Sequence, residues 1–135
     1  MRWFKKETRK EVWDEPIERP IGDIEAAHRV RDICRSAADS AERIGGLAGG
    51  ADHRKKSDIA KNGHDSERCQ RAAKAAMEIA MKISDDLLRE AAVREIVDLC
   101  LKAGDVRTAQ PLFRAIRTAS IRQEVLKEHP TLLSE

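Results

Sequence analysis

Aromatic side chains are scarce in this 135-residue chain: there is no tyrosine, and only two phenylalanines and two tryptophans. A core must therefore come from Ala, Ile, Leu and Val, a palette that suits close-packed helices better than a sandwich of aromatic and β-branched strands. No segment alternates apolar and polar residues with period two, so no strand is predicted. A membrane-spanning helix needs about 18 consecutive apolar residues, and no such run occurs. The start Met1-Arg2-Trp3-Phe4-Lys5-Lys6 lacks the apolar stretch of an export signal. Cysteine is rare and odd in number: the three, Cys34, Cys69 and Cys100, lie far apart, which argues against a disulfide framework and for a reducing, cytoplasmic setting. Charge of one sign is also lacking, since 26 Lys and Arg face 24 Asp and Glu for a net +2, too little to announce a nucleic acid or a membrane as partner.

What is present is alanine, 19 of the 55 hydrophobic residues, together with helical periodicity. Length fits one domain with one core. Residues 1–20 form an arm in which Trp3, Phe4 and Trp13 sit among charges, with Pro16 and Pro20 interrupting any helix. The all-α domain is expected over 21–130, followed by a short tail over 131–135. Asp23 is placed to cap a first helix whose Ile24, Ala27, Val30, Cys34, Ala37, Ala41 and Ile44 follow at steps of three or four. Gly45, Gly46, Gly49 and Gly50 are expected to end it. They do not make a phosphate loop, because Ala51-Asp52 follow where a lysine and a Ser or Thr are required. A short helix across 53–61 and a turn at Asn62-Gly63 come next.

Asp65 or Ser66 then opens a helix to Ile83, whose alanines at 72, 73, 75, 76 and 80 let a neighbour approach closely. Ser84, Asp85 and Asp86 offer caps for a helix to Ala103 that is apolar over a wide arc and should be the most buried element. Gly104-Asp105 reads as a stop followed by a start. Residues 106–117 are helical, with Pro111 shifting the expected cap to Thr108, and Ser120-x-x-Gln123 matches a capping box for a last helix ended by Pro130. About five helices in a bundle or short α-solenoid result.

An offset of 33 places Ala76, Ile79, Ile83, Asp85, Leu88, Arg89, Val93 and Glu95 on Ala109, Leu112, Ile116, Thr118, Ile121, Arg122, Leu126 and Glu128. Such periods mark helical-pair repeats that stack to bury their faces. Within that register, Gly104-Asp105-x-x-x-Ala109-x-x-x-Phe113, preceded by Val93, Ile96 and Leu101, resembles the tetratricopeptide (TPR-like) repeat family over residues 72–128. Val93 and Val97 stand where that family has tryptophan and glycine. The resemblance implies a fold that binds an extended peptide or a helix along the inner face of the first helix of each pair, at positions matching Arg94, Asp98, Lys102 and Lys127. Read from the residues alone, these form a solvated charge row.

Motifs for catalysis are missing: H-E-x-x-H, G-x-S-x-G and dinucleotide glycine patterns do not occur, and His64 with Cys69 lacks a second pair at zinc spacing. No catalytic residue, metal site or cofactor is assigned, and the cysteines are expected to be core residues. The expectation is a non-catalytic interaction or adaptor module with a protein partner. Besides the charge row, Trp3, Phe4 and Trp13 are candidate partner contacts, the first two also as an aromatic-basic tip for a membrane surface. A basic stretch, with Arg54, Lys55, Lys56 and Lys61 as anion-binding candidates and Arg68, Arg71 and Lys74 beyond them, offers nucleic-acid binding as the alternative. The stripe from Ile24 to Ile44 suits a homodimer seam as readily as a core face.

Overall fold

A computed structural model of the chain describes residues 11–14, 20–49 and 56–133. Among them are five α-helices and no strand: α1 (Asp23–Gly49), α2 (Lys56–Ala80), α3 (Asp86–Lys102), α4 (Val106–Ala115) and α5 (Ala119–Glu128), with 3-10 turns at Val12–Asp14 and Pro130–Leu133. The all-α expectation holds. No described helix is long and apolar enough to cross a membrane.

The apolar arc of α3 explains its place in the middle, where it touches the four other helices. Its Ile96 and Val97 are fully enclosed, as are Val30 and Ala37 of α1, Ala72, Ala76 and Ala80 of α2, Ala109 of α4 and Val125 of α5. Fully burying an Ile or Val contributes about 1.5–3 kcal/mol. The alanines let α1 and α2 approach closely, and Cys34, Cys69 and Cys100 are free thiols inside this core. Burial pushes the Cys34 and Cys100 thiols up to about 12, so they stay protonated and inert at neutral pH.

Several predicted boundaries are corrected. α1 runs through Gly45 and Gly46 and ends at Gly49, within the glycine stretch expected to end it. A Cβ on Gly45 would collide with the Lys102 carbonyl oxygen, so this glycine lets the end of α1 close on the end of α3, and that packing offsets a helix cost of about 1 kcal/mol per glycine. Ile24, placed on the core stripe, is exposed, while Ala26, Ile33 and Ser40 are buried instead. The short helix, the Asn62-Gly63 turn and the Asp65 start merge into one helix, α2. Asp65 sits inside it as a buried carboxylate that takes the Ser40 hydroxyl at 2.9 Å and a two-pronged bond from Arg43 at 2.9 and 3.0 Å. A cap at Thr108 is not needed, because Asp105 accepts from Thr108 N at 3.1 Å and Pro111 lies exposed in the second turn. α5 opens on Thr118, not Ser120.

The α3–α4 turn follows the sequence. Gly104 takes φ +79°, and Gly104 N and Asp105 N bond back to Leu101 O and Cys100 O at 3.0 and 2.8 Å, the paired closure that a left-handed residue permits at a helix end.

Candidate functional site

α2 and α4 both pack on α3 but leave a gap between them, and a groove of about 500 Å³ opens there. Its apolar lining includes Ile44 from the end of α1, Ala73 and Met77 from α2, Leu99 from α3 and Leu112 from α4. Gln70, Lys74 and Thr108 supply polar groups at its margin. Each is placed by helical spacing: 66, 70, 73 and 77 share one face of α2, and 108 and 112 share one face of α4. Shape and lining suit an apolar side chain or two carried on a peptide or helix. Sequence reasoning missed this groove, because Leu112 reads as an ordinary inward residue, Met77 falls off the stripe of its helix, and only the space between α2 and α4 brings the two to one opening.

Arg94 and Asp98, predicted on an open inner face, instead tie α3 to α5. Arg94 bonds Glu124 and reaches Glu128 Oε2 at 3.3 Å and Asp98 Oδ2 at 3.7 Å. Asp98 Oδ1, enclosed and without a hydrogen bond, faces His129 Nε2 at 3.5 Å, and burial raises the Asp98 carboxyl above its ordinary range. Ligating atoms of Asp98, Glu128 and His129 lie within 4.8 Å of one another. The Arg94 guanidinium on the same carboxylates already supplies the positive charge that a metal ion would bring. Lys102 is exposed beside Glu42 at 3.7 Å, and Lys127 is exposed.

The arm divides. Trp3 and Phe4 lie outside the described residues. Trp13 is half-buried against the bundle, with the Arg68 guanidinium over its ring at 5.1 Å. Glu11 receives two bonds from Arg68, at 2.9 and 3.0 Å, and Asp14 one from Arg71 at 3.1 Å. Arg68 also donates to Ser40 Oγ at 3.0 Å, which joins the arm to the Asp65 network. The Arg68 hydrogen bond holds the Glu11 carboxyl, and the Arg43 hydrogen bond the Asp65 carboxyl, below the ordinary range. Ser40 is completely enclosed, so its pairing with Asp65 offers nothing to a substrate. Arg54 and Lys55, and the side chains of Lys56 and Lys61, lie outside the described residues. The second half of the basic stretch is partly neutralised, since Arg68 and Arg71 face the arm's carboxylates.

Two inter-helix corners share one hydrogen-bond scheme at the offset of 33. Ile83 N and Ile116 N each bond three residues back at 3.0 Å, and Asp85 and Thr118 open the next helix at φ/ψ −73°/123° and −67°/118°. Arg89 donates to Ile83 O and Arg122 to Ile116 O, both at 3.0 Å. A carboxylate then takes the two orphan amides of each corner. Asp23 accepts from Ser84 N and Asp85 N, both at 3.0 Å, and Glu90 accepts from Arg117 N at 3.0 Å and Thr118 N at 2.7 Å. Asp23, predicted as the cap of its own helix, therefore serves the start of α3, and Glu90 was not singled out at all.

These features define an all-α bundle with a half-open apolar groove. No family model matches the chain, and no curated protein and no solved structure matches it.

Proposed function

We propose that the protein is a non-catalytic interaction module that takes an apolar segment of a partner protein in the groove between α2 and α4. The carrying observation is the groove itself: large apolar side chains, Ile44, Met77, Leu99 and Leu112, gathered on one open wall and floor with polar groups at the margin. This moves docking away from the Arg94, Asp98, Lys102 row. Arg94 is already paired with Glu124 and Glu128 of α5, so partner binding there would have to break existing ion pairs. The tetratricopeptide-like reading, a short α-solenoid with α1, α3 and α5 as first helices and α2 and α4 as second helices, is supported by the matched corners and by the Gly104-Asp105 turn. In the described part of the basic stretch and of the arm, Arg68, Arg71 and Trp13 are turned to intramolecular partners, which lends no support to nucleic acid or membrane.

The test is a photoreactive amino acid placed at Leu112, with a control placed at the exposed Arg35 of α1. The groove reading expects a partner crosslinked from position 112 and not from 35, which, once purified, binds the wild-type chain and loses binding to Met77→Glu. A purified partner that binds Met77→Glu as well as wild type would sink it.

A further inference from the structure

Few large apolar side chains stand in solvent among the described residues, and the three most exposed gather at one corner: Ile24 at 65%, Met81 at 64% and Leu87 at 58%. Asp23 is bonded to Ser84 and Asp85. Ile24 directly follows Asp23, Met81 lies three residues before Ser84, and Leu87 lies two after Asp85. All three are thus chain neighbours of one hydrogen-bonded cluster, where α1 and α3 begin and α2 ends.

The fold does not demand this exposure. At the second corner, built by the same hydrogen bonds, the positions 33 further on are Arg114 for Met81 and Ser120 for Leu87. Both are exposed polar residues, so the geometry is satisfied without an apolar surface. A retained apolar cluster where the matched site is polar marks a contact surface rather than a packing need.

Charge states what fits it. Asp23, Glu78, Asp85 and Asp86 are chain neighbours of the three, against Lys82 and Arg89. Arg89 bonds Ile83 O and pairs with the exposed Asp86, which leaves Asp23, Glu78 and Asp85 in excess over Lys82, and hydrogen bonds from Ser84 and Asp85 hold the Asp23 carboxyl in its charged form. An apolar centre with an acidic rim complements an apolar side chain flanked by Lys or Arg, and repels the anionic face of a membrane. We propose that the edge carrying Ile24, Met81 and Leu87 is a second docking surface, which takes a basic amphipathic segment of a protein partner. It shares none of the groove's lining residues.

The test uses the full chain and two synthetic amphipathic helices of about 14 residues, one of leucine and lysine and one of leucine and glutamate. Amide chemical shifts should move at 24 and 81–87 with the leucine-lysine peptide and not with its acidic counterpart. Met81→Arg with Leu87→Ser copies the second corner onto the first, so the fold is kept, and should weaken binding about tenfold. Leu87→Ser alone, which changes no charge, should weaken it by a smaller factor, and the uncharged Leu112→Asn on the α4 side of the groove should leave it intact, which separates failure here from failure of the groove reading. Equal binding by the double variant, or equal binding of the acidic peptide, overturns the proposal. Recruitment to phosphatidylserine vesicles, or self-association that the double variant abolishes, would assign the surface to a membrane or to a second copy and overturn it too.

Discussion

The α2–α3 corner and the α4–α5 corner solve one physical problem with the same parts. Where one helix ends and the next begins, orphan carbonyls and amides must find partners. An arginine from the following helix reaches back to the last carbonyl, and a carboxylate from an earlier helix takes the first amides. The difference lies in where the carboxylate sits. Glu90 is buried at 7% exposure and also takes the Thr118 hydroxyl at 2.6 Å, whereas Asp23 stands at the rim of the bundle. Water can replace Asp23 in part but cannot easily reach the Glu90 bonds, so equal geometry should carry unequal weight.

Removing the carboxylates breaks the comparison most sharply. Glu90→Ala leaves two amides and a hydroxyl without their charged acceptor and should cost about 3 kcal/mol, since bonds to charged groups are the stronger ones. Asp23→Ala should cost clearly less. Urea denaturation of both variants checks the order, and an equal loss would mean that burial does not separate the corners.

Acid acts on the same two groups. The Thr118 hydroxyl, then the Thr118 and Arg117 amides, hold the Glu90 carboxyl below its ordinary 4.5, and the bonds from Ser84 and Asp85 hold Asp23 below its ordinary 3.8. Their contribution is complete above those ordinary values and is lost as pH falls through the lower folded ones, because the unfolded chain binds the protons first. Glu11 and Asp65 act in the same sense, and Asp98, raised by burial, in the opposite one. Stability should fall on acidification from about pH 5, and Asp23→Asn with Glu90→Gln should flatten that fall, as followed by thermal melts across the range.

The arginines differ in their remaining contacts. Arg122 lies over the Phe113 ring at 4.5 Å besides bonding Ile116 O, while Arg89 pairs with the exposed Asp86. Surface ion pairs contribute little and a cation over an aromatic face about 0.5–1 kcal/mol. Arg122→Met should therefore cost about 1.5 kcal/mol and Arg89→Met about 1 kcal/mol in the same denaturation experiment.

Much of this was legible in the sequence because it is local or periodic. Stripes on Val30–Ala41 and Ala72–Ala80 mark the core faces, the Gly104-Asp105 pair marks its turn, and the offset of 33 aligns Arg89 with Arg122. What escaped depends on tertiary partners. Gly45 reads as a helix stop unless the Lys102 carbonyl beside it is known. Asp65 reads as a cap until Ser40 and Arg43 come from α1 to meet it, and packing then carries α2 straight through Gly63. Glu90 looks like any helical glutamate until the α4–α5 corner folds over it. The groove arises because α2 and α4 pack on α3 more than on each other, and no residue pattern announces a gap.

The smallest effect on stability belongs to the outer surface of the corners, and it sharpens the comparison most. Exchanging Met81 and Leu87 for the Arg and Ser of the second corner should change stability by no more than about 0.5 kcal/mol, because no buried group moves. The reverse exchange, Arg114→Met with Ser120→Leu, should be equally mild in denaturation. It should not create a second site for the leucine-lysine peptide. Residues 106–118 contain no Asp or Glu, and Arg107 and Arg117 would still border the transplanted cluster. If calorimetry nevertheless finds two peptides bound per chain, apolar exposure alone selects the ligand and the acidic rim of the first corner is irrelevant. If one is bound, the rim decides, and the two corners differ in function through charge laid over a shared backbone scheme.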